Sequence, residues 1–360
     1  MNAALELFRI HNKPMLIAGP CGAESMQQLQ ELIVPLKTMP AFKLLRAGVW
    51  KPRTRPNGFQ GHGEIALTWL KELKDQYKVP IAVEVASPMH VEQALKFNMD
   101  VLWIGARTTV NPFYVQDIVN ALSGIDIPVM IKNPVHADVK LWIGALERFL
   151  NSGKTNLAAI HRGFYSYASS GYRNSPLWSV ALEFKTYFPD IPMYADTSHM
   201  AGKRQWIAEL SQQAFNLGYQ GLMLETHPQP ECALSDADQQ LTPNDVIAMW
   251  NQLEFRTAVS TASDHLQTLR KCIDERDKLI IEQLAHRLKF VDEIADLKKD
   301  LGLTIFQLER WKELLHTRSV WAAELGLRQE FIEKLCQLIH DESIQLQQQR
   351  WNSNNTTNSF

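Results

Sequence analysis

MLIAGP (15–20), KLLRAG (43–48), IAVEV (81–85), VLWIGA (101–106), PVMIK (128–132), AAIHRG (158–163), MYADTSH (193–199) and GLMLETH (221–227) recur through the first two thirds of a 360-residue chain. Each run is short, apolar or β-branched, and closed by a polar, glycine or proline residue, which is how a buried strand reads. Between them lie stretches of helical periodicity such as 64–76 and 176–188. Eight β-α units in about 250 residues fit a closed parallel (β/α)8 barrel, the TIM-barrel architecture of the α/β class, better than an open doubly wound sheet, which has fewer strands.

Beyond the barrel the chain changes character. All 17 prolines lie at or before Pro243, and after Gly221 only Gly302 and Gly326 remain, so the C-terminal third reads as helical. A polar Ser-Thr-Ala-Ser-Asp stretch at 260–264 suits a linker or helix cap. A long helix is expected over 264–300, a second over 304–317 and a third over 328–350, with an Asn/Ser/Thr-rich disordered tail. The domains are therefore a barrel at 1–257, a linker at 258–264, an all-α three-helix domain at 265–350 and a tail at 351–360.

Composition narrows the function. The chain is 45% hydrophobic and 21% charged, with 37 Lys+Arg against 39 Asp+Glu, which excludes disordered, fibrous and nucleic-acid-coating classes. No apolar run approaches the roughly 18 residues of a membrane span, and no secretory leader opens the chain, so a cytosolic protein is expected. Cys21, Cys232, Cys272 and Cys336 have neither CxxC spacing nor the density of a disulfide framework.

In a parallel barrel the loops after the strands share one mouth, so polar residues at strand ends are the candidates for chemistry. They are Cys21 after the first strand; Arg46, Lys51 and Arg53 after the second; Glu84, Arg107, Lys132 and Arg162 after the third to sixth; Asp196 and His199 after the seventh; and Glu225 after the eighth. Six are cations. Gathered at one mouth they repel one another unless anions offset them, and phosphates or carboxylates held by guanidinium forks are the natural anions. A second set, Cys21, His199, Glu225 and Asp236, combines one thiol, one imidazole and two carboxylates, a mixture suited to a borderline divalent ion such as Mn, Fe, Co or Zn acting as a Lewis acid.

IAGPCGAES (17–25), RAGVWKPRTRPNGFQG (46–61), IGART (104–108), Lys132, the Arg162-Gly163 pair, DTSHMAGKR (196–204) and GLMLETHPQPECALSDADQQL (221–241) together resemble 3-deoxy-D-arabino-heptulosonate 7-phosphate (DAHP) synthase. The likeness is to the short-barrel branch shared with 3-deoxy-octulosonate 8-phosphate synthase. It implies condensation of phosphoenolpyruvate with erythrose 4-phosphate. Lys51-Pro52-Arg53-Thr54 resembles the signature for the four-carbon sugar, with the octulosonate synthase kept as a remote alternative. By the resemblance, Arg107, Lys132 and Arg162, helped by Arg46 and Lys51, hold phosphoenolpyruvate; Arg53 and Thr54 hold the aldose; Cys21, His199, Glu225 and Asp236 ligate the metal. Glu84 either orients the attacking water or pairs with a mouth cation. The chain departs from the branch at Lys132-Asn133-Pro134 and His161-Arg162-Gly163, keeping the cation in both.

In the helical domain, Arg287 and Lys298 lie eleven residues apart and within roughly 20° around the axis, whereas Arg270 is turned away by about 100° and displaced by about 25 Å. One helix cannot aim all three into one small site, so if all three bind ligand the domain is an intertwined dimer. Ser343 and Gln347 share a face of the third helix. Over about 265–350 the chain resembles the all-helical chorismate mutase family, with Arg270, Arg287, Lys298, Arg310, Ser343 and Gln347 matching in order. That likeness implies rearrangement of chorismate to prephenate, with arginines holding the carboxylates and Lys298 and Gln347 facing the ether oxygen. Trp311 stands where relatives often have Glu. The rival reading makes the helical domain a prephenate- or chorismate-sensing module; with the barrel starting near residue 13, it is the visible route to feedback inhibition.

Overall fold

The computed structural model describes residue 8 and residues 14–51, 58–166, 171–255 and 264–353. By contacts it divides into two compact units, Met1–Ala258 and Val259–Phe360.

The first unit alternates strands and helices: β1 (Met15–Gly19), α1 (Met26–Leu36), β2 (Phe42–Ala47), α2 (Glu64–Tyr77), β3 (Ile81–Val85), α3 (Pro88–Lys96), β4 (Val101–Ile104), α4 (Ala106–Thr109), α5 (Pro112–Ala121), β5 (Val129–Lys132), α6 (Val139–Asn151), β6 (Leu157–His161), α7 (Trp178–Tyr187), β7 (Met193–Ala195), α8 (Thr197–Ala201), α9 (Ile207–Asn216), β8 (Gly221–Glu225) and α10 (Pro243–Gln252). The strands pair in chain order and β8 closes on β1, all parallel. All eight runs read as strands are strands.

Two-residue alternation sorts the strand side chains. Leu45, Ile81, Val83, Leu102, Ile131, Ala159 and Leu224 face outward into one core with the helices, while Ile17, Leu44, Ala82, Val101, Trp103, Met130, Ile160, Tyr194 and Met223 fill the barrel. Two residues beyond six of these interior plugs the same inward face carries chemistry: Leu44 is followed by Arg46, Ala82 by Glu84, Met130 by Lys132, Ile160 by Arg162, Tyr194 by Asp196 and Met223 by Glu225. The apolar layer below and the polar layer above are the same pleat read at two heights. The helices start on side-chain caps, Ser25, Ser87, Asn111 and Asp138 each accepting from the first turn.

The second unit holds α11 (Asp264–Asp300), α12 (Leu308–Glu324) and α13 (Gln329–Ser353). Three of the expected boundaries move by more than one residue, the second helix ending at Glu324 where 317 was expected. The second helix begins at Leu308, four residues after the expected start, because Lys298 Nζ donates to Ile305 O and Thr304 Oγ1 to Phe306 O in a turn; it then runs to Glu324, where Gly326 at φ +69° lets the chain reverse. The third extends past 350 to Ser353, since Trp351 Nε1 donates to Ala295 O and Lys299 Nζ to Trp351 O. The rest of the expected tail, and most of the expected linker, fall outside the described residues. No helix among them is long and apolar enough to cross a membrane.

Candidate active site

At the barrel mouth the sulfur of Cys21 and carboxylate oxygens of Glu225 and Asp236 all lie within 4.8 Å of one another. His199 joins them: its Nδ1 lies 2.9 Å from Asp196 Oδ1, which leaves Nε2 facing Glu225 Oε1 at 3.7 Å. Asp196 also accepts from His199 N as the cap of α8, so one carboxylate fixes both the backbone and the ring. Three of the four residues named as ligands thus cluster, and the fourth, His199, approaches the cluster on its Glu225 side. Cys21 Sγ is 3.1 Å from Asp236 Oδ2, and Lys51 Nζ donates to Cys21 Sγ at 2.8 Å and to Cys21 O at 2.9 Å.

The set fits a divalent cation by its donor chemistry. Glu225 Oε1 is buried without a hydrogen bond, with Arg46 Nη2 at 3.1 Å as ion-pair neighbour. Burial, then the Glu225 charge, push the Cys21 thiol up to about 12. Only a strongly electron-withdrawing neighbour makes it a thiolate at neutral pH, and a bound metal does so. Burial works to raise Glu225 as well, but His199, Arg46 and Lys51 outweigh it and bring that carboxyl down to about 2. Asp236 is likewise held below the usual carboxylate range, Arg173 and His199 prevailing over burial.

Cations ring this cluster. Arg46, 1% exposed, leaves Nε and Nη1 buried without partners while its guanidinium lies over the Trp103 ring. Lys132 Nζ pairs with Asp196 Oδ2 at 2.6 Å and also lies over Trp103. Arg162 is fixed by Asn133 Oδ1, which accepts from its backbone N, and by Asn174 Oδ1, which accepts from Nη1. Burial first, then the charges of Arg173 and Arg107, draw Arg162 down to about 10 against the pull of Asp196, so Arg107 and Arg162 share one field although Arg107 is exposed on α4. Glu84 Oε2 accepts from Trp103 Nε1 at 3.0 Å, and a Cβ at Gly105 would fall 2.0 Å from Glu84 Oε1, so the glycine makes room for that carboxylate. Arg53 and Thr54 lie outside the described residues. A cavity of about 220 Å³ opens beside Lys51, Glu84 and His90.

Strand-end reasoning missed four contributors. Arg173 spans Asp236 Oδ1 and Gln239 Oε1 at 2.9 and 2.6 Å, and Gln239 Nε2 donates to Glu225 Oε2 at 2.6 Å. Asn174 and Trp103 complete the framework. Arg173 and Asn174 sit mid-loop between β6 and α7, with no periodicity to flag them, whereas Gln239 lay within the quoted 221–241 run.

In the helical unit, Arg287 Nη1 donates to Ser343 Oγ at 2.7 Å and Gln347 Nε2 to Ser343 O at 3.0 Å, leaving Gln347 Oε1 buried and unpartnered. Burial, with the charges of Arg287 and Lys298 adding to it, lowers His340 against Asp341, and His340 stacks on Trp311 at 4.1 Å. Two residues stay apart in the single chain. Arg270 lies on an exposed stretch of the continuous α11, about 25 Å up the axis from Arg287, and Arg310 pairs with Glu313 on an exposed face at 2.6 Å.

The DAHP synthetase I family model matches residues 10–260 and the chorismate mutase type II model residues 269–348. A phospho-2-dehydro-3-deoxyheptonate aldolase of Thermotoga maritima is 30% identical over 226 residues, 63% of this chain and 64% of that protein. A 2-dehydro-3-deoxyphosphooctonate aldolase of an Azoarcus species is 30% identical over 251 residues, 62% of this chain and 84% of that one. The crystal structure of the Thermotoga maritima DAHP synthase superposes with a TM-score of 0.60 at 28% identity, over 74% of this chain and 71% of that chain; its truncated form gives 0.58 at 25%, over 74% and 88%. A closed barrel carrying the motif set over residues 10–260, followed by helices that match a chorismate mutase type II domain, makes this chain a member of the DAHP synthetase I family.

Proposed function

We propose that the barrel condenses phosphoenolpyruvate with erythrose 4-phosphate to DAHP, and that the helical domain converts chorismate to prephenate. The observation that carries the first is the cluster of Cys21, Glu225 and Asp236, with His199 3.7 Å from Glu225, beside buried Arg46 and Lys132. A divalent ion held by those four residues supplies Lewis-acid polarisation of the aldehyde carbonyl. Arg46, Lys132, Arg162 and Arg107 hold the phosphate and carboxylate of phosphoenolpyruvate, so that its C3 is presented to the aldehyde carbon. As the C3–C1 bond forms, positive charge builds at C2. Glu84, fixed by Trp103, orients the water that adds there, and the carbon–oxygen bond to phosphate then breaks, consuming one water and releasing inorganic phosphate. Arg53 and Thr54 hold the sugar.

The test is phosphoenolpyruvate consumption with erythrose 4-phosphate or arabinose 5-phosphate, with and without a chelator. Turnover with erythrose 4-phosphate that stops on chelation supports the proposal; preference for the five-carbon sugar assigns the octulosonate reaction, and chelator-resistant turnover removes the four-ligand site.

For the mutase, Arg287, Lys298, Ser343 and Gln347 form one half of a pocket, with Arg270 supplied by a second copy. The support is the apolar surface of α11: Ile273 and Ile280, seven residues apart on one face, are 59% and 58% exposed, as is Phe290 at 63%. Apolar area of this extent marks an interface. In sedimentation the chain is expected to run as a dimer or a multiple of it, and the double substitution Ile273→Glu with Ile280→Glu to give smaller species that have lost chorismate turnover; a wild-type monomer active as a mutase would refute the shared pocket.

A further inference from the structure

The loop between β6 and α7 sends two adjacent side chains into the metal-site framework, and neither is a ligand. Arg173 Nη1 donates to Asp236 Oδ1 at 2.9 Å and to Gln239 Oε1 at 2.6 Å, and Gln239 passes the constraint on by donating to Glu225 Oε2 at 2.6 Å. Asn174 Nδ2 donates to His199 O at 2.6 Å. Three of the four candidate ligands are thereby tied to one dipeptide. The dipeptide is itself pinned to α8, Arg173 N donating to Ala201 O and Asn174 N to Met200 O.

Asp236 needs such a constraint. It is a non-glycine residue at φ +50°, ψ +41°, the left-handed region, a conformation that the hydrogen bond from Arg173 helps to hold. Gly202, also left-handed at φ +69°, lies against the arginine: a Cβ there would fall 2.4 Å from the Arg173 Cβ. Close approach of the α8 end to the loop is what lets Arg173 reach Asp236. Two opposing effects attend the guanidinium. Its charge repels a nearby cation, while its hydrogen bonds hold Asp236 and, through Gln239, Glu225 in place. Partners of metal ligands are worth about 10–100-fold in affinity when removed, and the left-handed backbone at Asp236 favours the orienting effect over the repulsion.

We propose that Arg173, with Asn174 and Gln239, is a positioning clamp that sets the affinity of the metal site by holding Asp236, Glu225 and His199 in their ligating geometry. The inference rests on the metal-site reading above. It predicts that arginine stabilises cation binding even though it is itself a cation.

The test is titration of Mn(II) alone into metal-free full-length protein, free Mn(II) being read by its electron paramagnetic resonance signal. Arg173→Met is expected to weaken binding by about 10–100-fold and Arg173→Lys to recover only part, since a single ammonium does not reproduce the fixed fork to two acceptors. Gln239→Leu, which keeps the arginine, and Gly202→Ala, which displaces it, should each weaken Mn(II) in the same direction, so a failure of any one variant to fold leaves the others decisive. Unchanged or tighter binding in Arg173→Met and Gln239→Leu overturns the clamp. Wild-type protein that binds no Mn(II), Co(II), Zn(II) or Fe(II) refutes the metal site itself, a different failure.

Discussion

Cys21→Ala protein is expected to consume phosphoenolpyruvate about 10³-fold more slowly than wild type and to lose stoichiometric Mn(II), while turning over chorismate at the normal rate. The size follows from the chemistry assigned to the sulfur. Cys21 is fully buried, and its thiol, pushed up to about 12, lies within hydrogen-bond distance of both Lys51 and Asp236. Alanine leaves that cluster with an imidazole and two carboxylates, a harder and smaller donor set. Losing a Lewis acid worth several kcal/mol, at 1.36 kcal/mol per tenfold in rate, corresponds to about three decades. Chorismate turnover by the same sample shows that the helical unit is folded, and an unchanged circular dichroism spectrum that the barrel is, so a low synthase rate with both intact localises the loss to the site. Wild-type synthase rates from Cys21→Ala would show that the sulfur is only a buried apolar group.

The second large effect belongs to the other unit. Arg287→Ala should lower chorismate turnover by about 10²-fold with phosphoenolpyruvate consumption unchanged, the cost of losing the fork that holds a substrate carboxylate in the reactive geometry. Arg287 is positioned for that role by its 2.7 Å bond to Ser343 Oγ on α13, and Gln347 Oε1 and His340 Nε2 lie buried and unpartnered on the same helix. Arg287→Lys should rescue little, because a flexible point charge does not replace a planar fork facing a carboxylate. Chorismate turnover unaffected by Arg287→Ala would remove Arg287 from the catalytic pocket, and wild-type protein that does not turn chorismate over would leave the helical domain as a binding module.

The strands were legible because a buried parallel strand is a short apolar run with a polar stop, and the barrel repeats that pattern eight times. The mouth was legible for the same reason: the pleat that sends Leu44, Met130 and Met223 into the interior sends Arg46, Lys132 and Glu225 to its rim two residues later. What escaped the sequence depends on tertiary approach. Arg173 reaches Asp236 across 63 residues of chain, and Trp103, an interior plug by pattern, also serves as the platform under Arg46 and Lys132 and the donor to Glu84. Local spacing carries no trace of either. The start of α12 was misjudged because residues 304–307 form a turn in which the Thr304 hydroxyl donates to Phe306 O. Arg270 and Arg310 could be matched by order along the chain, but Arg270 lies about 25 Å along α11 from Arg287 and Arg310 pairs with Glu313, so order alone does not bring them to one pocket.

The most direct measurement is anomalous diffraction from crystals of the full chain grown with Mn(II) and phosphoenolpyruvate. One anomalous peak bonded to Cys21 Sγ, His199 Nε2 and oxygens of Glu225 and Asp236, with phosphoenolpyruvate density against Arg46, Lys132 and Arg162, is the expected result. A peak elsewhere, or one that leaves the thiol and imidazole unligated, would contradict it.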